Sequence, residues 1–342
     1  MEFAAYATRT IDVDNMVVQR MLFGRKHVFA SDVGEIEVRL PAATAAYSFR
    51  EGLTDFPDDP EHTWFGFYPL ELRIELAEPI EFDDGDDQFN TNSVFTKQLD
   101  SVYAGIEAAF DQGFDTWRRT IRWTAFAPEL DMSEDQTQSS HTVGKGFKII
   151  RKQDGAVFRN HGGRYTSYGG GKVGVDAWEA AASALASGIQ PPPWIDYIFD
   201  AIRKNVLGQK RTAIVSSAIA CETLIRAVLT SILPVTQNEA AEWAIDNVSV
   251  QGLLARWDKL VGYTKAECVK NGKKDVHALF DLRNRVMHSG ITDKAQLGQI
   301  SRLLPGVLRF ILSGDADLNR MEGNPTMIFP ALREMERLTA AK

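Results

Sequence analysis

Apolar and charged residues alternate along two segments in the first third of the chain. In residues 35–40 and in Leu70–Leu76, every second side chain is Ile, Val or Leu, and those between are Glu or Arg. Period-two alternation predicts strands with one buried and one solvated face. The period lengthens in Val94–Gln112, where apolar residues recur every three or four positions and predict a helix. The acidic run Asp83–Asp87 lies between the second strand and this helix, and it predicts a turn there.

Turn signals divide the region that follows. An Asp-Gly pair at 154–155 separates Lys145–Lys152 from Ala156–Arg159, which predicts a β-hairpin. Asp176–Ala186 is rich in alanine and predicts a short helix. The proline triplet Pro191–Pro193 cannot lie inside a helix and favours extended backbone, so we place a domain boundary there.

Helical periodicity continues from the prolines toward the end of the chain. After a first apolar stripe at Ile195–Ile202, the predicted helices cover Thr212–Leu233, Val250–Leu260, Asp275–His288 and Ala295–Leu312. Thr212–Leu233 is apolar nearly all round, so we expect it at the centre of a bundle and also at a dimer interface. Pro234 should end that helix, and Pro305 should bend or interrupt the last one. The tail from Gly314 onward is less regular.

The pattern as a whole predicts an α+β protein. A β-rich domain (1–190) is followed by a proline linker (191–193) and an all-helical domain (194–342). Hydrophobic residues make up 44% and charged residues 25% of the chain, a mixture that excludes wholesale disorder. The net charge of −8 argues against nucleic-acid binding by the chain as a whole, but the charge is unevenly distributed. Residues 1–190 carry 30 acidic and 18 basic side chains, whereas residues 191–342 carry 16 acidic and 20 basic ones.

Several classes of protein are disfavoured by missing signals. Two cysteines, Cys221 and Cys268, give no disulfide framework and favour a reducing compartment. The first residues lack the charge and apolar run of a signal peptide, and Glu222 and Arg226 interrupt the most apolar stretch, so we expect a soluble cytoplasmic protein without a membrane partner. The six histidines lack metal-ligand spacing, and nucleotide-binding and hydrolase motifs are absent, so no metal or cofactor is expected.

The segment Asp281–Gly290, with the sequence Asp-Leu-Arg-Asn-Arg-Val-Met-His-Ser-Gly, carries the candidate chemistry. Arg283 can bind a phosphate through two parallel hydrogen bonds, and histidine is the side chain best suited to proton transfer near neutral pH, which makes His288 the candidate acid or base. Five residues on a helix place their side chains about 140° apart, so these two do not share one narrow face, whereas Asn284 and His288 do. The same residue types at a helix end are often solvated or capping groups, which is the alternative for an isolated pair.

With the preceding helix Ala-Ile-Ala-Cys-Glu-Thr-Leu-Ile, this motif resembles the HEPN superfamily, most closely its abortive-infection (ApeA-like) branch, over roughly residues 194–313. The resemblance implies a helical bundle that dimerises and forms a composite site with Arg283, Asn284 and His288 as catalytic residues. It implies a metal-independent endoribonuclease that cleaves cellular RNA such as tRNA, in antiviral defence or as a toxin, after a phage-derived trigger. Other members are non-catalytic dimerisation or ligand-binding modules, and that alternative stays open.

Two further residues are assigned supporting roles. Glu222, on the long apolar helix, is predicted to hydrogen-bond the region of Arg283, as an acidic residue on the corresponding helix does in members of this superfamily. Its alternative is a partly buried acid paired with Arg226 at a spacing of four. Arg285 is a second cation that either contacts phosphate or faces water.

A basic hairpin region in the first domain is a second candidate RNA contact. Its cationic candidates are Lys145, Lys148, Arg151, Lys152, Arg159, His161 and Arg164. Phe and Tyr residues are interleaved with them, and cations that follow phosphates beside aromatic rings that stack on bases are typical of RNA-binding surfaces. The alternative is a hairpin that docks on the acidic surface of its own domain.

Overall fold

A computed structural model describes residues 2–32, 34–42, 64–66, 69–76, 80–81, 94–127, 147–155, 157–160, 165–232, 247–262, 272–290 and 293–321. The chain divides into two compact units, Met1–Gln190 and Pro191–Lys342. The first contains a largely antiparallel sheet with helices and the second is helical where it is described, so the α+β class is confirmed at this level. The predicted turn at Asp83–Asp87 and the predicted helix stop at Pro234 lie outside the described residues.

A single long strand organises the sheet of the first unit. The described strands are β1 (Glu2–Phe3), β2 (Ala5–Gln19), β3 (Lys26–Ser31), β4 (Gly34–Arg39), β5 (Trp64–Gly66), β6 (Pro69–Leu76), β7 (Ile80–Glu81), β8 (Lys148–Arg151), β9 (Val157–Asn160) and β10 (Tyr165–Val173). The sheet has the order β3-β4-β6-β2-β8-β9, with β5 and β10 also paired to β2, and β10 is parallel to it. β1 and β7 form a separate antiparallel pair.

The two predicted alternating strands are confirmed as β4 and β6, which pair with each other and bury their apolar faces. The predicted hairpin is confirmed as the antiparallel pair β8 and β9. β2 was not predicted as a strand. Its core-facing positions include Ala5, Ala7 and Arg9, and small or charged side chains give a weak alternation signal even where the backbone is central to the sheet.

Two helices of the first unit, α1 (Val94–Thr124) and α2 (Val175–Ala186), pack on this sheet. α1 extends well past the predicted end at Gln112. Arg9 on β2 reaches α1, where its Nη1 donates to Asp111 Oδ1 at 2.7 Å and its guanidinium lies over the ring of Phe110. Arg9 is only 2% exposed, so this contact supplies the countercharge that a buried cation requires.

His27 on β3 joins the strand to both helices. Its ring stacks on Trp178, with centroids 3.7 Å apart, and its Nδ1 accepts a hydrogen bond from Trp117 Nε1 at 2.9 Å. Because Nδ1 accepts, the proton lies on Nε2, which donates to the carbonyl of Trp178 at 3.0 Å. Burial lowers the pKa of His27 from 6.5 to about 4.

The second unit is a set of packed helices. Its described helices are α3 (Pro193–Val206), α4 (Lys210–Ile232), α5 (Val250–Ala255), α6 (Trp257–Val261), α7 (Lys273–Ser289), α8 (Lys294–Leu297) and α9 (Ile300–Met321). α4 contacts α3, α7 and α9 and is the central helix, as its all-round apolar pattern predicts. By length and composition, Lys210–Ser231 could also cross a membrane, but 61% of its most apolar stretch is buried within the chain. Packing within one chain thus accounts for much of the apolar surface that the sequence suggested for a dimer interface.

Three predicted boundaries in this unit were wrong. Pro193 is the first residue of α3 rather than part of a linker, because a proline at the first helical position loses no hydrogen bond. The predicted helix Val250–Leu260 is broken at Arg256. The last helix is interrupted at residues 298–299 and continues past Gly314 to Met321, with Pro305 inside α9, so a break at this proline was wrong whereas a bend there stays a prediction.

The start of α7 approaches α9 at two glycines. Gly272 precedes α7 with φ +77°, and a Cβ built there would lie 1.9 Å from the carbonyl oxygen of Gly306. A second anchor of α9 is the hydrogen bond from Trp194 Nε1 to buried Asp315 Oδ1, at 2.8 Å. These contacts fix the helices beside which the candidate site is formed.

We expect the free energy of unfolding of the first unit to fall as the pH decreases from 6.5 to 4. In that window unfolded His27 binds a proton and native His27 does not, so the slope approaches about 1.4 kcal/mol per pH unit. Urea unfolding followed by tryptophan fluorescence at several pH values tests this. His27→Gln retains a donor and an acceptor but cannot titrate, and its curve should be flatter. Equal slopes for both proteins would contradict the prediction.

Gly272→Ala should destabilise the second unit by about 3 kcal/mol, because it combines a left-handed backbone with a clash against fixed backbone. Gly290→Ala is the matched control. Gly290 also has a positive φ, +59°, but a Cβ there meets nothing within 4 Å, so its cost should be about 1 kcal/mol. Denaturant unfolding followed by far-ultraviolet circular dichroism measures both values, and equal losses would show that the close approach carries no energy.

Candidate active site

Helix α7 presents Arg283 on its packed face rather than on its solvent face. The buried residues of this helix are Val276, Leu279, Phe280, Leu282 and Val286. Arg283 lies within about 60° of four of them around the helix axis, and it is half-buried. α7 ends at Gly290, which adopts the left-handed conformation and confirms the predicted stop. The cation is therefore held inside the fold, unlike a solvated arginine at a helix end.

A pocket of about 320 Å³ opens beside Arg283. Helices α4 and α7 and the residues at the start of α5 form its walls. The lining residues are Glu222, Arg226, Asn247, Val248, Ser249, Val250, Gln251, Phe280, Arg283 and Asn284. The predicted residues Arg283, Asn284 and Glu222 are thus brought to one cavity.

The charged groups in the pocket have defined partners. Arg283 Nη1 donates to Asn284 Oδ1 at 3.2 Å. Glu222 Oε1 accepts from both Nε and Nη2 of Arg226, at 3.2 and 3.0 Å. Arg283 and Glu222 share the pocket but form no ion pair with each other. A cation and a carboxylate of the second unit therefore face one cavity without neutralising each other.

The wall contributed by α5 is tied to α7. Gln251 Nε2 donates to Asp281 Oδ1 at 2.9 Å, and the Ser249 hydroxyl accepts from the backbone N–H of Gly252 at 3.2 Å. The first bond joins two elements that are 30 residues apart in sequence. It holds the α5 wall over the face of α7 that bears Arg283.

His288 lies outside this pocket. It is exposed in the last turn of α7 and does not line the cavity. Its direction around the helix differs from that of Arg283 by about 140°, as the spacing requires. One chain therefore brings Arg283 and Asn284 together but leaves His288 on the adjoining open surface, next to Met287, which is 57% exposed.

The supporting residues have different positions. Glu222 pairs with Arg226, which is the alternative given for this residue, and it lines the pocket beside Arg283 without a hydrogen bond to it. Arg285 points away from the pocket, and its Nη2 contacts Gln299 Oε1 at 3.4 Å. The geometry gives it no direct part in this site.

The basic hairpin is described only in part. Lys145, His161 and Arg164 lie outside the described residues, and the side chain of Arg159 is not described. Arg151 pairs with Asp154, with Nε at 2.8 Å from Oδ1, and Lys152 pairs with Glu75. Lys148 is exposed on β8. Two of the predicted RNA-binding cations thus already contact carboxylates of their own unit, and an RNA-binding role for the hairpin stays a prediction.

Two other kinds of catalysis would need a reactive thiol or a cluster of metal-ligating side chains. Cys221 precedes Glu222 but is buried, and burial raises the pKa of its thiol, so it is a poor nucleophile. Within the described ranges, no three His, Cys, Asp or Glu side chains cluster in a way that could hold a metal ion.

Sequence reasoning missed the residues that close the pocket. Phe280 could have been found, because it lies three and four positions before Arg283 and Asn284 and so shares their face. Arg226 was considered only as a structural partner of Glu222. The segment 247–251 carries no motif, and nothing in its pattern indicates that it reaches α7.

Comparison with known proteins identified no relative of this chain. No family model, curated protein or solved structure matches the chain.

Proposed function

We propose that this protein is a metal-independent endoribonuclease of the HEPN type, with its site on the helical unit. The observation that carries the proposal is the position of Arg283. It lies on the packed face of α7 beside a 320 Å³ pocket, next to Asn284 and one helical turn before His288. A fixed guanidinium facing an open cavity is suited to binding an anionic group, and RNA provides one at every nucleotide.

The proposed reaction uses the ribose 2′-hydroxyl as nucleophile. Its oxygen attacks the adjacent phosphorus while a general base removes its proton, and the bond from phosphorus to the 5′-oxygen breaks as a general acid protonates that oxygen. The products are a 2′,3′-cyclic phosphate and a 5′-hydroxyl. Arg283 stabilises the negative charge on the phosphoryl oxygens, His288 transfers protons, and Asn284 orients the guanidinium to which it is hydrogen-bonded.

This chemistry requires a second copy of the chain. Because His288 of one chain lies outside the pocket that contains Arg283, we place the active site at a two-fold interface. There the open ends of two α7 helices would bring His288 of the partner subunit to a phosphate held by Arg283. The exposed Met287 beside His288 provides apolar surface for such a contact.

The biological setting follows from the motif resemblance alone. A soluble cytoplasmic effector would cleave tRNA or other cellular RNA in antiviral defence, as abortive-infection or toxin proteins do. The first unit would sense a phage-derived trigger. The excess of basic residues in 191–342 favours association with RNA through the helical unit.

A non-catalytic ligand-binding module is the second candidate. The position of His288 outside the pocket favours it, because a single chain then offers a binding cavity without the histidine that the proposed reaction needs. In that case ligands bind at Arg283, and the first unit responds to their binding.

Arg283→Ala and His288→Ala should each reduce RNA cleavage at least ~100-fold, because each removes one of the two groups required by the reaction. Purified protein is incubated with total RNA in EDTA, with and without phage lysate as a source of trigger. New 5′-hydroxyl ends are counted by direct kinase labelling.

Two matched variants control that experiment. His277→Ala removes a histidine of the same helix that does not line the pocket, and Arg302→Ala removes an exposed arginine of α9. Both should cleave as the unmodified protein does. RNA that stays intact under every condition, or cleavage that survives both site variants, would contradict the nuclease and favour the binding module.

Met287→Glu should dissociate the dimer and lower cleavage, because a charge would be buried at the proposed interface. Sedimentation velocity over a hundredfold range of concentration measures the association. Val206→Glu is the control, since Val206 is 71% exposed on α3 and outside the proposed interface. A monomer at every concentration in the unmodified protein would contradict the composite site.

A further inference from the structure

The pocket contains a carboxylate, that of Glu222, which has no role in the proposed cleavage. Glu222 and Arg283 line one cavity, yet no ion pair joins them, and each is instead hydrogen-bonded to a neighbour on its own helix. Glu222 with its partner Arg226, and Arg283, line the same cavity, so this lining suits a ligand that has both an anionic group and hydrogen-bond donors. Such a ligand carries negative charge near Arg283 and hydrogen-bond donors near Glu222.

Glu222 has accepting capacity to spare. Both bonds from Arg226 end on Oε1, and Oε2 accepts no hydrogen bond from any residue in the described part of the chain. An ionised carboxylate can accept about four hydrogen bonds, two at each oxygen. Arg226 is a positioning residue in this arrangement, because its ion pair with Glu222 limits the rotation of the carboxylate.

The size of the cavity limits what can occupy it. A volume of about 320 Å³ lies at the small end of the range for ligand pockets, which suits one nucleotide rather than a longer segment. Phe280, which is buried in the packing of α7, contributes apolar surface to the wall. An anionic phosphate and a base edge in one small pocket match the arginine and carboxylate side chains that line it.

We propose that this pocket binds a guanine nucleotide, with the base edge at Glu222 and the phosphate at Arg283. Guanine has two adjacent N–H donors, at N1 and N2, and Oε2 of Glu222 has two acceptor positions for them, since both bonds from Arg226 end on Oε1. Adenine and cytosine place a ring-nitrogen acceptor beside their amino group, and uracil has a carbonyl on each side of its single N–H. Each of the other bases therefore directs an acceptor at the carboxylate, which is repulsive.

This inference rests on the proposed function for its meaning in RNA, since the bound guanosine would lie next to the cleaved phosphate. It makes the protein a guanine-specific nuclease rather than a general one. Binding of the nucleotide itself can be measured without cleavage.

The test is calorimetric titration of the full chain with guanosine, adenosine, cytidine and uridine monophosphates, as both the 3′ and the 5′ isomers. At least one guanosine isomer should bind ten or more times tighter than the corresponding nucleotides of the other bases. Equal affinity for guanosine and adenosine monophosphates in the unmodified protein would overturn the inference, and this outcome does not depend on any variant.

Glu222→Gln sharpens the test because it keeps the shape of the side chain. A glutamine amide offers one donor and one acceptor, the pattern that pairs with adenine, so preference should move from guanosine to adenosine monophosphate. Arg283→Ala should weaken all four nucleotides alike and leave the preference for guanine. Thr223→Ala is the control, since that hydroxyl is bonded to the Ile219 carbonyl on the same helix and does not line the pocket. Unchanged guanine preference in Glu222→Gln would overturn the role of Glu222.

Mapping the cut sites separates this inference from the nuclease proposal. If RNA is cleaved with no guanosine at a fixed position beside the cut, the guanine pocket is wrong and the nuclease stands. If guanosine monophosphate binds selectively but RNA is never cleaved, the nuclease is wrong and the pocket stands.

Discussion

The candidate site depends on one constraint: a charged guanidinium is held against the apolar face of a helix. Arg283 is half-buried beside the residues that pack α7 onto its neighbours. An arginine does not lose its charge at any ordinary pH, so the fold must leave it polar surroundings or lose stability. The pocket, the amide of Asn284 and the opening between α4 and α5 provide those surroundings. A charged position beside the core is thus where we propose that a ligand binds.

Local pattern was sufficient for much of the architecture and insufficient for its assembly. β4, β6 and the hairpin of β8 and β9 were predictable because their side chains alternate or flank a recognisable turn. β2 was not, because buried Ala and Arg side chains hide its alternation. In the same way, Arg283 and Asn284 could be proposed from their spacing. The wall at 247–251 could not, because its place is set by a hydrogen bond from Gln251 to a distant helix.

The spacing of the motif places Arg283 and His288 on two different surfaces of α7. In the proposed reaction, anion binding belongs to the packed side of α7, where Arg283 is held by its surroundings, whereas His288 lies on an exposed turn that retains access to water and to other molecules. On that proposal, a single chain binds its ligand without reacting. Assembly of two chains is then a natural point of control, because it changes which groups meet rather than how each is positioned.

The pairing of β2 has a consequence for how the protein is made. Ile11–Val18 of this strand are covered on one side by β10, whose residues leave the ribosome about 150 positions later. Until then the central strand presents an open edge, and pairings between distant segments form slowly. Synthesis that pauses before Tyr165 would leave that edge exposed to other nascent chains, so the yield of folded protein should depend on translation speed and on chaperones that cover sheet edges.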